Sequence, residues 1–496
     1  MTENTQDRPA GHASEGDRNP AGPVSGCPGT QHREVDPHMV VVALRRFWSR
    51  LPLAAANRTV LRAVLTVGFF AVGVKVVSVV KESVVAAAYG TSNAFDAFVI
   101  ASLAPSVVVS LISNSLNAAL IPTYIGVRTK EGEASAGRLY ATVLLLNLLL
   151  LLGLALVVAL TSPKWLPLIA SGYSPEKLAL AQRLVYWSMP LVVATGLSTT
   201  WGAVLNAHEK FGIVAMAPAL NPLAILLALA LTYKVWGIGA MVAGTLLGAA
   251  LEATLIGTSL ARRGHTLLPS WHGLTEHVRA VLAQYGATIS GAFLITSMGL
   301  VDQGMASVLG PGSNSALSYG MKIPAAFAGL GMAALGTAVL PRFSQMASEE
   351  RWVEFRRTLW KYLLIVGTLS ILLACVLAGF TRFITAILYE RGRFSAEDTE
   401  LVSRIQMYYL LRLPIPITGT LLVRALNAMR ANQFLAAIAI VQAILNAVLD
   451  WVLMKRMGAP GIAASSLGVS MVAITSVSIS VWWLLDRRCR GAVDHA

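Results

Sequence analysis

The chain has 496 residues, 55% hydrophobic and only 13% charged. Soluble globular chains carry roughly 25% charged residues, so this composition excludes an ordinary water-soluble protein and points to lipid as the surrounding solvent. The formal charge of +14 suggests nucleic acid, but Lys and Arg sit mostly in alternate loops, the pattern of the positive-inside rule, and that argues against such a partner. Cys27, Cys375 and Cys489 are scattered and form neither a disulfide framework nor a metal site.

In chain order, residues 1–57 read as a disordered cytoplasmic tail. Met1 to Asp36 is rich in Gly, Pro, Ser, Asp and Glu and lacks the n-region and h-region of a signal peptide. Arg45, Arg46, Arg50, Arg58 and Arg62 form a basic collar suited to anionic headgroups. Apolar runs then predict about twelve transmembrane helices. They centre in 60–88, 95–126, 137–161, 178–206, 211–233, 235–261, 278–308, 314–345, 358–387, 398–429, 432–454 and 460–486. The first six form an N-lobe, 58–263. A cytoplasmic linker, 264–277, leads to a C-lobe, 278–488, and 489–496 is a cytoplasmic C-terminus. Alternate loops carry Arg128, Lys130 and Arg138; His208 and Lys210; Arg262, Arg263 and Arg279; and Arg342, Arg351, Arg356, Arg357 and Lys361. Two opposite loops break the trend, with Arg391/Arg393 and Lys455/Arg456. The balance places both termini inside and makes the span number even.

The two lobes read as one design written twice. Gly90, Pro105 and Pro122 return as Gly310, Pro324 and Pro341, with the same proline spacing and an offset of about 220 residues. Leu205-Asn206-Ala207 returns as Leu426-Asn427-Ala428, and Gly248 as Gly468. Internal duplication of this kind builds secondary transporters, with the substrate path between the repeats. The fold class is therefore an all-α integral membrane protein of two pseudo-symmetric six-helix lobes around a central cavity.

No catalytic constellation and no Walker-type phosphate loop occurs, so the chain reads as a transporter, not an enzyme, driven by an ion gradient, the membrane potential or the substrate gradient. The chemistry lies in charges within apolar spans, which are costly there and mark function by default. Lys75 and Glu82, two turns apart, share a helix face with Lys81 a little way round. Asp96 opens the second span, Asp302 lies deep in the seventh, and Lys322 precedes Pro324 in the eighth. Lys75, Lys81 and Lys322 are the candidate substrate site, cationic and suited to an anion such as a phosphate. Glu82, Asp96 and Asp302 are candidate counter-charges or ion-coupling groups. Glu252, Arg183, Arg404, Arg412, Arg424 and Asp450 are the remaining intramembrane charges, the arginines fitting headgroup contacts better than a site. Pro105, Pro222, Pro324, Pro414 and Pro416 are expected to bend or break helices. His265 and His272 in the linker read as a solvated pair, and no metal site is expected.

Several segments carry a family resemblance. Gly90-Thr91-Ser92-Asn93-Ala94-Phe95-Asp96-Ala97-Phe98 resembles the stretch after the first helix of the MurJ (MviN) lipid II flippases. Ala334-Leu335-Gly336-Thr337-Ala338-Val339-Leu340-Pro341 is similar to their Ala-Leu-Gly-Thr-x-x-Leu-Pro segment. Tyr389-Glu390-Arg391-Gly392-Arg393-Phe394 through Asp398 is similar to their Arg-Gly-x-Phe-x-x-x-Asp signature. The wider superfamily includes oligosaccharide flippases of the Wzx type and MATE drug exporters. The resemblance implies a V-shaped transporter of the bacterial inner membrane that moves a polyprenyl diphosphate-linked glycan between leaflets by alternating access. Its first-helix arginines fall on Lys75 and Lys81, the acidic residue beside them on Glu82, its loop aspartate on Asp96, and its eighth-helix arginine on Lys322. Its second-helix arginine pair falls on Val109 and Ser110, and its eighth-helix acidic residue on Ala325. The family's two extra C-terminal helices have no counterpart. Lipid II and another lipid-linked glycan, as in exopolysaccharide assembly, therefore stay open as substrates. No cofactor is expected, with Na+ or H+ open as the coupling cation, and the expected state is a monomer. The rival reading is a MATE-like cation-coupled antiporter for small molecules, which a carboxylate-dominated cavity would favour.

Overall fold

The computed structural model describes residues 58–429, 431 and 433–494. The tail expected at 1–57 lies outside them. The chain divides at Leu61, and the unit Arg62–Ala496 holds every contact described below.

The described residues form helices joined by short turns. In order these are α1 (Arg58–Tyr89), α2 (Asn93–Glu131), α3 (Glu133–Ile169), α4 (Pro175–Ala207), α5 (Phe211–Met216), α6 (Leu220–Trp236), α7 (Gly239–Ala261), α8 (Glu276–Ser307), α9 (Ser313–Ser348), α10 (Trp352–Gly379), α11 (Thr381–Tyr389), α12 (Ala396–Leu411), α13 (Pro414–Ala428), α14 (Gln433–Met457) and α15 (Ala459–Asp494). Taking α5–α6, α10–α11 and α12–α13 as interrupted pairs leaves a rod at each predicted span. Among the described residues, nine helical segments are long and apolar enough to cross a bilayer. The rods outside that count are α1, α8 and α9, two of which carry the candidate lysines. The protein is an all-α membrane protein.

Local sequence sets the helix starts. Ser92, Ser174 and Thr275 cap α2, α4 and α8 by accepting a backbone N–H, and Ser395 with Asp398 forms a reciprocal capping box on α12. Proline acts unevenly. Pro105 and Pro324 sit inside the continuous helices α2 and α9. The breaks fall instead at the short 3-10 turn Ala217–Ala219 ahead of Pro222, and between Leu411 and Pro414, where proline's missing N–H costs least.

The turn between α1 and α2 and that between α8 and α9 lie at one end of the bundle, the far end. The 262–275 linker lies at the other, the linker end. At the far end an aromatic cluster joins the halves. Tyr319 of α9 stacks on Phe95 of α2 at 5.0 Å and meets Tyr389 and Phe394 at 5.3 and 5.5 Å between ring centroids. A second core, with Phe343, Phe355, Leu421 and Leu426, fills the second half near the linker end. Helix α8 is shared. It packs on α2 and α3 as well as on α14, and Tyr285 donates to Asn147 Oδ1 at 3.0 Å.

Candidate functional site

A cavity of about 770 Å³ lies between α1 of the first half and α9, α10 and α11 of the second. Its walls are mostly Val, Leu, Ile, Met and Phe, and its polar lining includes Lys75, Lys81, Glu82, Ser318, Lys322 and Tyr389. Helical spacing aligns Lys75 with Glu82 on α1, and Lys81, further round the helix, also lines the cavity.

Glu82 is the hub. Only 8% exposed, it accepts from Lys81 Nζ at 2.5 Å and from Lys322 Nζ at 3.0 Å. The second contact ties α1 to α9 across the two halves. Lys322 keeps 42% of its side chain open, and Lys75 is exposed with no ion pair among the described residues. The site thus presents three ammonium groups against one carboxylate inside an apolar wall. Such a place suits an anion electrostatically, because the low dielectric strengthens each charge–charge contact. Ser83, next to the hub, donates to the carbonyl of Leu388 and fixes α1 against α11.

Asp96 and Asp302, expected as counter-charges, do not line this cavity. Asp96 is fully buried at the far end. Its Oδ1 accepts from the Ser315 amide at 2.8 Å and the Ser315 hydroxyl at 2.5 Å. Its Oδ2 accepts from the Gly312 amide at 2.7 Å and pairs with Lys177 at 2.7 Å. Helix α9 has no side-chain cap of its own, so Asp96 supplies one from the other half and faces the positive helix end. Thr91 donates to Asp398 at 2.5 Å beside it. Gly392 lies so close to Ala87 that a Cβ there would strike the backbone, and the Arg393 amide donates to the Ala87 carbonyl at 2.9 Å. Asp96 belongs to a clasp that shuts the far end of the two halves.

Asp302 lies among α8, α14 and α15. The Asn446 amide donates to Asp302 at 2.9 Å and to Asp450 at 2.9 Å. Ser466 donates to Asp302 at 3.3 Å, and Ser465 donates to Asp450. Two carboxylates sharing one amide carry like charge at close range, an arrangement that a proton or a small cation stabilises.

Arg412 lies close enough to Asp302 for their charges to interact, whereas Glu252, Arg404 and Arg424 have separate surroundings. Glu252 accepts from Ser198 at 3.0 Å, Arg404 pairs with Glu400 along its own helix at 2.9 Å, and Arg424 lines a second cavity of about 430 Å³ in the second half. His265 and His272 do not pair. His272 bonds Ser270 and Thr142, whereas His265 lies 3.9 Å from Glu133 with its ring 4.8 Å from that of His208. Sequence alone does not mark Tyr389, Asp450 and Asn446 as partners of these groups. An aromatic residue at a helix end and an Asn in an apolar helix give no pattern of their own.

Paired helical halves clasped at one end, with a cationic cavity between them, define a multi-pass membrane transporter. A sequence model described as "Lipid II flippase MurJ" matches residues 85–494. The chain belongs to this MurJ family, whose members are named as flippases, not enzymes. A Synechocystis sp. relative named "Probable lipid II flippase MurJ" is 24% identical over 431 residues, covering 84% of this chain and 80% of its own length. A Burkholderia cenocepacia relative named "Lipid II flippase MurJ" is 27% identical, covering 74% and 72%. A solved structure, "Lipid II flippase MurJ, inward closed conformation", superposes with a TM-score of 0.72 at 20% identity, covering 84% of this chain and 87% of that one. An inward-facing multidrug resistance MATE transporter of the MOP superfamily gives 0.67 at 13% identity, covering 86% and 95%. These likenesses show the fold.

Proposed function

We propose that this protein moves a polyprenyl diphosphate-linked glycan, a lipid II-type precursor, from the inner to the outer leaflet of the bacterial inner membrane. The observation that carries this reading is the meeting of Lys81 and Lys322 on Glu82, with Lys75 on the same cavity wall, in an apolar cavity between the halves. The diphosphate supplies the anion and the polyprenyl chain the apolar surface. A MATE-like exporter of organic cations would call for a cavity dominated by carboxylates, and this one holds a single buried Glu against three lysines.

The linker-end segments carry Arg128, Lys130, Arg262, Arg263, Arg342 and Arg356, so this end and both termini face the cytoplasm. The cavity then lies on the cytoplasmic side of the Asp96 clasp, and opening of the clasp would expose it outward by alternating access. Lysine grips phosphate as a mobile point charge, without the bidentate fork of arginine. The triad therefore recognises the diphosphate and leaves the choice of glycan to other surfaces. An exopolysaccharide precursor is the alternative cargo. Asp302 and Asp450, held together by donation from Asn446 and Ser466, bind the coupling cation, Na+ or H+.

Reconstitution in proteoliposomes with a fluorescent polyprenyl diphosphate glycan tests this reading. Wild type should carry the lipid to the opposite leaflet, and lipids lacking the diphosphate should stay behind. Equal movement of uncharged lipid, or movement of a cationic drug in its place, would refute it.

A further inference from the structure

We propose that the linker end of the first half carries a site for a divalent transition-metal ion, with Zn2+ the best fit, formed by Glu133, His208 and His265. Their donor atoms, one from each residue, all lie within 4.8 Å of one another. His208 Nε2 is 3.3 Å and His265 Nε2 3.9 Å from Glu133 Oε1. Two imidazoles and a carboxylate form a donor set that suits zinc and its neighbours over Mg2+ or Ca2+, with water completing the shell.

The three donors come from three chain segments, each placed by a sharp turn of backbone. Glu133 follows Gly132 (φ +88°) at the junction of α2 and α3, and His265 follows Gly264 (φ +82°) after α7. His208 caps the end of α4 and precedes Glu209, which itself has φ +59°.

The surroundings also fit. The guanidinium of Arg128 can only donate, and it lies 3.0 Å from His208 Nδ1, which leaves the proton on Nε2, facing Glu133. Arg263 is occupied by the Ser259 carbonyl and hydroxyl at 2.6 and 2.7 Å. The competitors are Arg128, on His208 Nδ1, and the Tyr124 hydroxyl, on His208 Nε2 and Glu133 Oε1. For Nε2 to bind metal, the ring proton moves to Nδ1 and Arg128 turns to water. Tyr124, whose hydroxyl lies 3.2 Å from Glu133 and 3.1 Å from His208, backs the site from α2. An ion here would pin the start of the linker between the lobes to the turns of the first half.

The test is Zn2+ titration of the full-length, chelator-stripped protein in detergent, followed by calorimetry, with Co2+ as the spectroscopic probe of four-coordinate geometry. Wild type should bind one ion with loss in His208→Ala and His265→Ala of at least about 100-fold. Arg128→Ala should bind about fivefold more tightly, because one opposing hydrogen bond is gone. His277→Ala removes the neighbouring contact to Glu131 at 2.6 Å and should change nothing. A triple variant of the tail histidines His12, His32 and His38 should be equally silent. Size-exclusion elution matching wild type shows that each variant is folded. No saturable binding by wild type, or unchanged binding in His208→Ala and His265→Ala, would overturn the site.

Discussion

Asp96 caps the helix that begins at Ser313 by accepting both the amide and the hydroxyl of Ser315, although 219 residues separate them in the chain. The same carboxylate neutralises Lys177, so a single buried group holds the far ends of the two halves together. Replacing it with Ala leaves Lys177 and the Gly312 and Ser315 amides without their partner. Loss of one side of a buried ion pair costs about 3–5 kcal/mol. Hydrogen exchange at residues 312–315 should therefore accelerate by about 100-fold or more in Asp96→Ala, while exchange in α3 stays near wild type. Unchanged protection at 312–315 would mean that the clasp does not hold the halves.

Lys322 crosses from the second half to Glu82 at 3.0 Å while keeping nearly half of its side chain open to the cavity. Lys322→Ala should reduce lipid transport by at least about tenfold, the equivalent of one lost charge contact of about 1.4 kcal/mol, at normal expression. Lys322→Arg should retain most activity, since the charge and reach are kept. Transport assays on matched amounts of reconstituted protein decide it, and full activity in Lys322→Ala would remove that lysine from the site.

Asp302 and Asp450 share the Asn446 amide. If they hold the coupling cation, Na+ should raise the unfolding temperature of wild type in a saturable way, by the mass action of a ligand on the native state. Asp302→Asn should abolish that rise. A proton-coupled protein would give no sodium response but an acid-driven transport rate, which Asp302→Asn would flatten. Persistence of both responses in the variant would exclude the pair.

Gly392 separates two expectations about backbone. Its φ is +60° and a Cβ there meets the Ala87 backbone, so Gly392→Ala should destabilise the protein by on the order of 1–3 kcal/mol. Gly153 lies within α3 with open space where a Cβ would project, and Gly153→Ala should stabilise by about 0.5–1 kcal/mol. Thermal unfolding of the pair reads both signs in one experiment.

The positions of the rods were legible because their signal is local. Apolar runs and the repeated Gly-Pro-Pro landmarks lie within a few turns of what they define. Lys75, Lys81, Glu82 and Lys322 stood out because charge in an apolar helix is rare, and the structure brings these four to one cavity. The same rarity marked Asp96 and Asp302 but could not say what they face. The partner of Asp96 is an exposed-looking Lys177 and a helix start on the other half. The partner of Asp302 is an amide on α14. Pairing of this kind depends on tertiary packing, not on spacing. Glu133, His208 and His265 were illegible as a group for the same reason, since each sits on a different turn and their separations match no metal-binding spacing. The adjacent pair that did stand out, His265 and His272, is parted by the path of the linker.

The most direct measurement is depletion of this protein in its own host, followed by mass spectrometry of the polyprenyl diphosphate intermediates on the cytoplasmic side. Accumulation of lipid II together with lysis is the expected result, and a variant lacking Lys75, Lys81 and Lys322 should fail to reverse it. Accumulation of a different lipid-linked glycan in viable cells would reassign the cargo to an exopolysaccharide pathway. Depletion with no lipid-linked intermediate accumulating would contradict the flippase reading outright.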